Sequence, residues 1–469
     1  MPFYSSSSSC RSFEAALAPF LMDEGLPFAD VLPAEQVEQA CRDEHVSFGT
    51  AANSVYNPII VLWTFLSQVL SSDSRSCRAA AYRVCVLSIA LGRGSCSTDT
   101  GMYCRARAKL PAPLIRRLTY EVADRLQRAV PKCWLWKNRD VFLADGTTVT
   151  LPDTAENQAV YPQPPGQKPG LGFPMIRMVV LLSLATALLT GLALGPYEGK
   201  ETGETALLRE LFDRLRPGSV LLADRFYCSY FMVALLRERD VDVVFRLHHR
   251  RHADFRRGLR LGRNDHIVTW PCPPRPEWMD EATFARMPRQ LTIREVRTRI
   301  ETPGCRVDQL VAMTTLLDAE EYSRDEVLDL YHERWHVELD IRAIKSTLKM
   351  ETLRCKTPSM VEKEIWTTFL GYNLVRKVSC QAALLENKEP REISFTASLD
   401  AVRAGWVNMT HASADLRRAL GMGLLVALGQ EQVGDRPDRC EPRAVKKRPK
   451  KQALLMVPRA EAKAALLRG

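Results

Sequence analysis

The feature that most restricts how this chain can fold is an uncharged apolar run, MVVLLSLATALLTGLALG, at residues 178–195. A run of this length either spans a membrane as a helix or is buried in a protein core. Ser183, Thr186 and Thr190 interrupt it, and no aromatic belt flanks it. Because its β-branched residues favour strands, we predict two short buried strands joined by a turn, and no membrane span.

The segments on either side predict strands that lead to acidic residues. VFLADGTTVTLPD predicts a short strand that ends at Asp145, a turn at Gly146 and then a second strand. SVLLADRF predicts a strand at residues 220–223 that leads to Asp224, with a helix just after it. Strands that alternate with helices indicate the α/β class.

Other parts of the chain differ in their apolar periodicity and residue composition. A helical period of apolar residues predicts helices in the N-terminal part, at residues 57–70, 75–91 and 113–130. Residues 241–316 are basic, proline-rich and then β-like, so we predict an inserted, mostly β subdomain there. The helical pattern returns at Arg324.

Positive charge exceeds negative charge, with 65 Lys and Arg against 55 Asp and Glu. This excess favours a polyanionic partner, either nucleic acid or an anionic membrane surface. Candidate phosphate contacts lie in three basic segments: Arg105 and Arg107, Arg250 and Arg251, and Lys446 and Lys447. The first segment is equally compatible with a surface helix that has no ligand.

Cysteines and the N-terminal residues bear on location. None of the thirteen cysteines forms a C-x-x-C pair, which argues against the common zinc motifs and favours free thiols in a reducing compartment. The opening MPFYSSSSSC lacks the basic and apolar regions of a signal peptide. We therefore expect a cytoplasmic protein.

A charged stripe occupies the segment LYHERWHVELDIRAIKSTLKM. Its steps of three, four and seven residues place four side chains on one face of a single helix: Tyr331, Arg334, Glu338 and Lys345. Arg342 extends the stripe. A carboxylate beside cations and a phenol suits a site for a divalent metal and phosphate. A solvated charged face is the alternative.

Three carboxylates on separate elements are candidates for a two-metal site. Asp145, Asp224 and Glu338 could together hold two Mg²⁺ ions, which activate an attacking oxygen and stabilise a leaving one. An acid after a strand is otherwise a common turn or helix cap. Asp153 is the nearest competitor to Asp145.

The same helix contains a rival motif, H-E-x-x-H, at His332–His336. In zinc peptidases two histidines at this spacing bind zinc, and the glutamate is the general base. That hypothesis explains neither Asp145 nor Asp224, and it leaves the basic excess without a role.

Together these motifs resemble the bacterial DDE transposases of the insertion sequence four family. Tyr331-x2-Arg334-x3-Glu338-x6-Lys345 resembles the family's Y-R-E-K signature, and the blocks around the two aspartates, VFLADGTTV and LLADRFYCSYF, resemble its aspartate blocks. The resemblance extends from about residue 57 to the C-terminus.

The resemblance implies a ribonuclease H-like α/β core with a β-rich insertion and an N-terminal helical domain. The implied division is an N-terminal DNA-binding region at 1–137, core parts at 138–240 and 321–380, an insertion at 241–320, and a C-terminal helical region with a basic tail at 381–469. Asp145, Asp224 and Glu338 would hold Mg²⁺, with Mn²⁺ able to substitute. Four side chains would contact DNA phosphates: Tyr331, Arg334, Lys345 and Arg342.

The implied reaction cuts double-stranded DNA at the terminal inverted repeats of an element and joins the released 3′-OH to target DNA. A homodimer on paired ends, associated with the bacterial nucleoid, is expected on the same ground. Two alternatives stay open: a ribonuclease H-like nuclease without strand transfer, and a DNA-binding transposase derivative without catalysis.

Overall fold

The computed structural model describes residues 34–51, 54–90, 95–300, 309–410, 414–431 and 455–468. The strands of these ranges are β1 Val141–Thr150, β2 Met175–Ser183, β3 Leu189–Pro196, β4 Val220–Ala223, β5 Asp242–Arg246, β6 Leu259–Gly262, β7 Asp265–Pro271, β8 Gln290–Arg299 and β9 Gln309–Thr314. They form one sheet in the order β3-β2-β1-β4-β5-β9-β8-β7-β6.

The helices of the same ranges are α1 Ala34–Asp43, α2 Pro58–Leu70, α3 Cys77–Ala90, α4 Thr100–Lys109, α5 Ala112–Arg128, α6 Ala155–Val160, α7 Glu204–Arg209, α8 Tyr230–Glu238, α9 Glu281–Arg286, α10 Arg324–His332, α11 Trp335–Arg342, α12 Pro358–Leu385, α13 Phe395–Thr410, α14 Ala414–Gln430 and α15 Arg459–Leu466. The chain divides into two units. The α/β unit contains Trp136–Leu184 and Gly191–Leu339. The helical unit contains the described residues before Trp136, Ala185–Thr190 and those of Asp340–Val433.

Three parallel strands lie at the centre of the α/β unit. β1 pairs with β4 and β4 pairs with β5, both in parallel, while β2 is antiparallel to β1. Apolar residues of α7 and α8 pack against these strands in one buried cluster. The mixed α/β class is confirmed, as are the two buried strands of the apolar run, now β2 and β3, and the strand that leads to Asp224.

The predicted strand end at Asp145 is wrong. β1 runs without interruption through Asp145 and Gly146, because its antiparallel ladder with β2 continues from Phe142 to Thr150. Gly146 therefore makes no turn. Its missing side chain has another consequence, since a Cβ there would collide with the carboxylate of Glu204.

The strands β6 to β9 extend the same sheet through antiparallel pairs. A buried ion pair joins two of them, in which Arg294 donates to Asp265 over 2.7 Å and 2.5 Å. The neighbouring His266 ring contacts Glu295 at 2.9 Å. β5 lies inside the range expected for the insertion, yet it pairs in parallel with β4.

The helical unit is built around the long helix α12. Buried side chains cover most of its length, and Tyr120 of α5 meets Trp366 edge-on with ring centroids 5.4 Å apart. Pro58 opens α2 and the side chain of Asn57 caps it, which fits the preference of proline for the first helical turn. The N-terminal helical periods thus form helices over the described residues.

The charged segment is not the single α-helix that we predicted. α10 ends at His332, α11 begins at Trp335, and a π-helical turn follows at Ala343–Thr347. At the break, Arg334 N donates to Tyr331 O, and Val337 N donates to Arg334 O, both at 3.1 Å. These three-residue bonds tighten the helix locally, so the stripe does not keep a uniform period of 3.6 residues.

Over the residues that the structure describes, no helix is both long enough and apolar enough to cross a membrane.

Candidate active site

The two aspartates emerge side by side from neighbouring parallel strands. Leu143 of β1 pairs with Leu222 of β4. Asp145 and Asp224 each follow these partners by two positions, at the carboxyl end of the parallel pair. The chain after β4 turns away at Asp224, whose carboxylate accepts a hydrogen bond from Phe226 N at 2.7 Å.

Asp145 is largely buried. Burial raises its pKa to about 6, and the charges of Asp224 and Glu204 act in the same direction. The Gly146 N–H, which donates to Asp145 over 2.8 Å, and the Arg334 guanidinium both oppose that rise. The raised pKa of Asp145 therefore comes chiefly from its burial, and the neighbouring cation only partly offsets it.

Arg334 connects the third carboxylate to this pair. Its Nη2 donates to Glu338 Oε1 over 2.9 Å, and its Nη1 lies 3.8 Å from Asp145 Oδ2. The guanidinium is mostly buried, so these interactions are screened less than a surface pair would be.

Tyr331 completes this part of the site. Only 7% of its surface is exposed, and burial raises its pKa to about 12, so the phenol stays neutral at physiological pH. Arg334, Arg246 and Asp224 all interact electrostatically with it. The structure thus brings together Tyr331, Arg334 and all three predicted carboxylates.

The donor set suits a hard divalent cation such as Mg²⁺, which takes carboxylate oxygens. A buried Asp145 beside Asp224 fits that chemistry, because a bound cation would offset the cost of burying the carboxylate charge. Among the described side chains, however, no three Asp, Glu, His or Cys groups form a finished metal cluster. Arg334 lies between Asp145 and Glu338 and contacts one oxygen of each, which leaves the second oxygen of each carboxylate for a metal.

Sequence reasoning missed three residues of this site. Glu204, at the start of α7, interacts with both aspartates. The buried Tyr227 interacts with the same carboxylates. Arg246, the last residue of β5, interacts with Tyr331. Nothing in the spacing of the segment TGETALLRELF connects Glu204 to Asp145.

Two predicted phosphate contacts belong to the other unit. Arg342 ends α11 and is exposed, and Lys345 lies in the π-helical turn. Both follow Leu339, where the α/β unit ends.

The other basic candidates differ in exposure. Arg105 is exposed, whereas Arg107 donates to Gln68 over 3.0 Å and lies 4.7 Å from the centre of the Phe65 ring. Arg250 is exposed, and the guanidinium of Arg251 lies 3.7 Å above the buried Trp270 ring. Lys446 and Lys447 lie outside the described residues.

A cationic cleft of about 240 Å³ lies at the end of β5, where Arg251 is one of its lining residues. Among the described residues that line it, none is acidic. Its charged or titratable lining residues are Arg246, His248, His249, Arg251, His252 and Arg297.

The contacts of the histidines in the H-E-x-x-H motif differ from those of zinc ligands in a peptidase. His336 Nε2 contacts Glu333 at 2.9 Å, so the glutamate that a peptidase needs as a base pairs with a histidine instead. The break after His332 also separates the two histidines onto different helices.

Comparisons with known proteins identify the family and the relatives of this chain. The family profile described as "Transposase DDE domain" matches residues 136–374. The transposase InsG for insertion sequence element IS4 of Escherichia coli K12 is 29% identical over 356 residues, which are 74% of this chain and 76% of the relative. The transposase for insertion sequence element IS421 of Escherichia coli is 35% identical over 65 residues, 14% of this chain and 18% of the relative.

Among solved structures, a piggyBac transposase synaptic complex with hairpin DNA aligns with a TM-score of 0.42 and 10% identity, over 93% of this chain and 90% of that chain. The family profile covers just over half of the sequence and includes Asp145, Asp224 and Glu338. The chain therefore belongs to the transposase DDE domain family, and it is a DDE transposase similar to that of insertion sequence IS4.

Proposed function

We propose that this transposase cuts double-stranded DNA at the terminal inverted repeats of its element and joins the released 3′-OH to target DNA. Asp145, Asp224 and Glu338 would hold two Mg²⁺ ions, with Mn²⁺ able to substitute. The observation that carries this proposal is the pairing of β1 with β4, which sets the two aspartates side by side, together with Arg334 between Asp145 and Glu338.

The residues of the chain have separate tasks in this reaction. Bound divalent cations supply an activated water and stabilise the charge that develops on the scissile phosphate. Arg334 and Tyr331 bind and orient that phosphate. The phenol remains a hydrogen-bond donor because its pKa is about 12. Arg246 adds a further positive charge beside Tyr331.

DNA binding beyond the scissile phosphate is assigned to further cations of the chain. We include Arg105, Arg250 and Arg251, together with Arg342, Lys345, Lys446 and Lys447. Arg107 is left out because it already contacts Gln68 and Phe65. Such contacts are insensitive to sequence and weaken with salt.

The division of the chain is part of the proposal. We assign residues 138–240 and 321–380 to a ribonuclease H-like core, 241–320 to its basic insertion, 1–137 to an N-terminal DNA-binding region and 381–469 to a C-terminal region. Two copies of the chain would act on paired element ends.

The test incubates the protein with a labelled duplex of the flanking inverted repeat and Mg²⁺, and resolves the products on a denaturing gel. Asp145→Asn, Asp224→Asn and Glu338→Gln should each abolish cleavage. Asp153→Asn, which removes an exposed carboxylate near β1, should cleave normally. Cleavage that survives Glu338→Gln but is lost in His336→Ala would refute the assignment.

Strand transfer separates the transposase from a simple nuclease. A pre-cut duplex with a free 3′-OH is mixed with supercoiled plasmid, and we expect joined products that require Asp145. End cleavage without any joined product would favour a ribonuclease H-like nuclease.

A further inference from the structure

A fourth acidic side chain, Glu204, lies at the aspartate pair. It begins α7 and is half buried. Its carboxylate lies against the backbone of β1 at Gly146, the residue next to Asp145, and it interacts electrostatically with Asp145, Asp224 and Arg177. Three carboxylates of the α/β unit therefore face one another, and the Y-R-E-K signature includes only Glu338 among the acids of the site.

The backbone beside Asp145 leaves room for Glu204. A Cβ at Gly146 would collide with the carboxylate carbon and both carboxylate oxygens of Glu204. Gly146 continues a regular antiparallel ladder, so its backbone does not demand glycine. The glycine is needed for the close approach of Glu204 to the strand that contains Asp145.

A buried hydroxyl points to a ligand in the same space. The Tyr227 side chain is fully buried, and its hydroxyl faces the Glu204 carboxylate without forming a well-aligned hydrogen bond to it or to another described group. That hydroxyl interacts electrostatically with Glu204, Asp145 and Asp224. Because buried polar groups are nearly always satisfied, the hydroxyl is placed to donate to a carboxylate or to a ligand bound there.

We propose that Glu204 is a fourth carboxylate of the divalent-cation site, positioned by Tyr227 and admitted by Gly146. This inference rests on the proposed function, in which Asp145, Asp224 and Glu338 bind two divalent cations. Two such cations carry four positive charges, and the three carboxylates supply three negative charges. Glu204 supplies the fourth, as a hard oxygen donor of the kind that Mg²⁺ and Mn²⁺ prefer.

The test measures Mn²⁺ binding to the full chain without DNA, by calorimetry, and the Mn²⁺ concentration that gives half-maximal end cleavage. Glu204→Gln preserves the side-chain shape and removes the charge. We expect at least a tenfold loss of Mn²⁺ affinity and a matching rise in the Mn²⁺ requirement. Glu210→Gln, which neutralises the exposed glutamate after the same helix, should match the wild type.

Two further variants test the arrangement itself. Gly146→Ala should displace the Glu204 carboxylate and weaken Mn²⁺ binding in the same direction as Glu204→Gln. Tyr227→Phe should weaken it less, because the carboxylate loses only its positioning group. Thermal melting with and without Mn²⁺ shows that each variant is folded, and Glu204→Gln should show a smaller Mn²⁺-induced rise in Tm than the wild type.

Comparison with Asp145→Asn and Asp224→Asn separates the possible failures. If these two variants lose Mn²⁺ binding while Glu204→Gln and Gly146→Ala bind like the wild type, Glu204 is not part of the site and the proposed function stands. If none of the four variants affects Mn²⁺ binding or cleavage, the proposed two-metal function fails together with this inference.

Discussion

The residue whose ionisation most constrains the site is Asp145. Its pKa in the folded protein is about 6, against an ordinary value of 3.8, chiefly because it is buried. The folded state therefore binds this proton more tightly than the unfolded state does. The contribution of Asp145 protonation to the free energy of unfolding is therefore fully present below pH 4. It is lost as the pH rises through 6.

Asp145→Asn should consequently stabilise the protein without divalent cations, by an amount that grows between about pH 4 and 6 and then levels off. The shift corresponds to roughly 3 kcal/mol at neutral pH, since one pKa unit is worth about 1.4 kcal/mol. We expect the Tm of the variant to exceed that of the wild type by an amount that grows from about pH 4 to pH 6, measured in EDTA. The exposed Asp153→Asn should show no such trend, and parallel Tm curves for Asp145→Asn would contradict the prediction.

Arg334 is the residue that connects the carboxylates, and its charge is proposed to act on the scissile phosphate. Arg334→Gln should lower the cleavage rate about 100-fold or more, the usual cost of losing one preorganised donor to a transition state. Arg334→Lys should recover only part of the rate, because the lysine ammonium cannot donate hydrogen bonds in the planar arrangement of a guanidinium. Arg324→Gln, at the start of α10, is the control, and cleavage rates at saturating Mg²⁺ are the measurement. Equal rates for the wild type and Arg334→Gln would exclude the role.

The sequence was sufficient to predict the residues joined by a short local period. Tyr331, Arg334 and Glu338 are close in the chain, so a helical spacing brings them together even across the break between α10 and α11. Glu204 was not predictable in this way. Its closeness to Asp145 depends on the path of β1 past α7, and no local pattern encodes it.

At the scale of elements, apolar content predicted strands better than it predicted their ends. β2, β3 and β4 were recognisable because each is a short, almost wholly buried run. β1 was divided wrongly at Asp145 and Gly146, since a polar residue followed by glycine normally marks a turn. Tertiary contacts override that signal here, because β2 pairs with β1 along its whole length.

A fully buried ion pair joins two strands of the insertion. Arg294 of β8 is fully buried and donates twice to Asp265 of β7. Arg294→Met would leave Asp265 buried without its partner, which costs about 3–5 kcal/mol. Hydrogen exchange of the β7 and β8 amides should accelerate strongly.

The exposed Arg256→Met, which removes a surface pair with Asp254, should leave that exchange unchanged. Adding Asp265→Asn to Arg294→Met should restore part of the protection, because the remaining buried charge is then removed. Unchanged exchange in Arg294→Met would show that the pair does not stabilise these strands.

At the scale of the whole molecule, the net charge of +10 predicted a polyanionic partner but not where it binds. Within the α/β unit, the fold shows a surface where several cations come together. The cationic cleft at the end of β5 combines arginines and histidines that are scattered along the sequence, from Arg246 to Arg297. Those two residues belong to different strands, so only the order of the sheet reveals that they share a surface.

The loop between β5 and β6 offers a matched test of DNA binding. Arg250→Gln combined with Arg251→Gln should weaken binding to every duplex by a similar factor and reduce the slope of log K against log salt by about 1–2, since each lost phosphate contact contributes about 0.9. Arg256→Gln removes an equal type of charge, but Asp254 already pairs with it at 2.8 Å, so its slope should stay close to that of the wild type. Filter binding or fluorescence anisotropy between 50 and 200 mM salt, roughly the range in which such contacts dominate, gives the slopes. A loss confined to one end sequence, or an unchanged slope in the double variant, would mean that these arginines do not contact the DNA backbone.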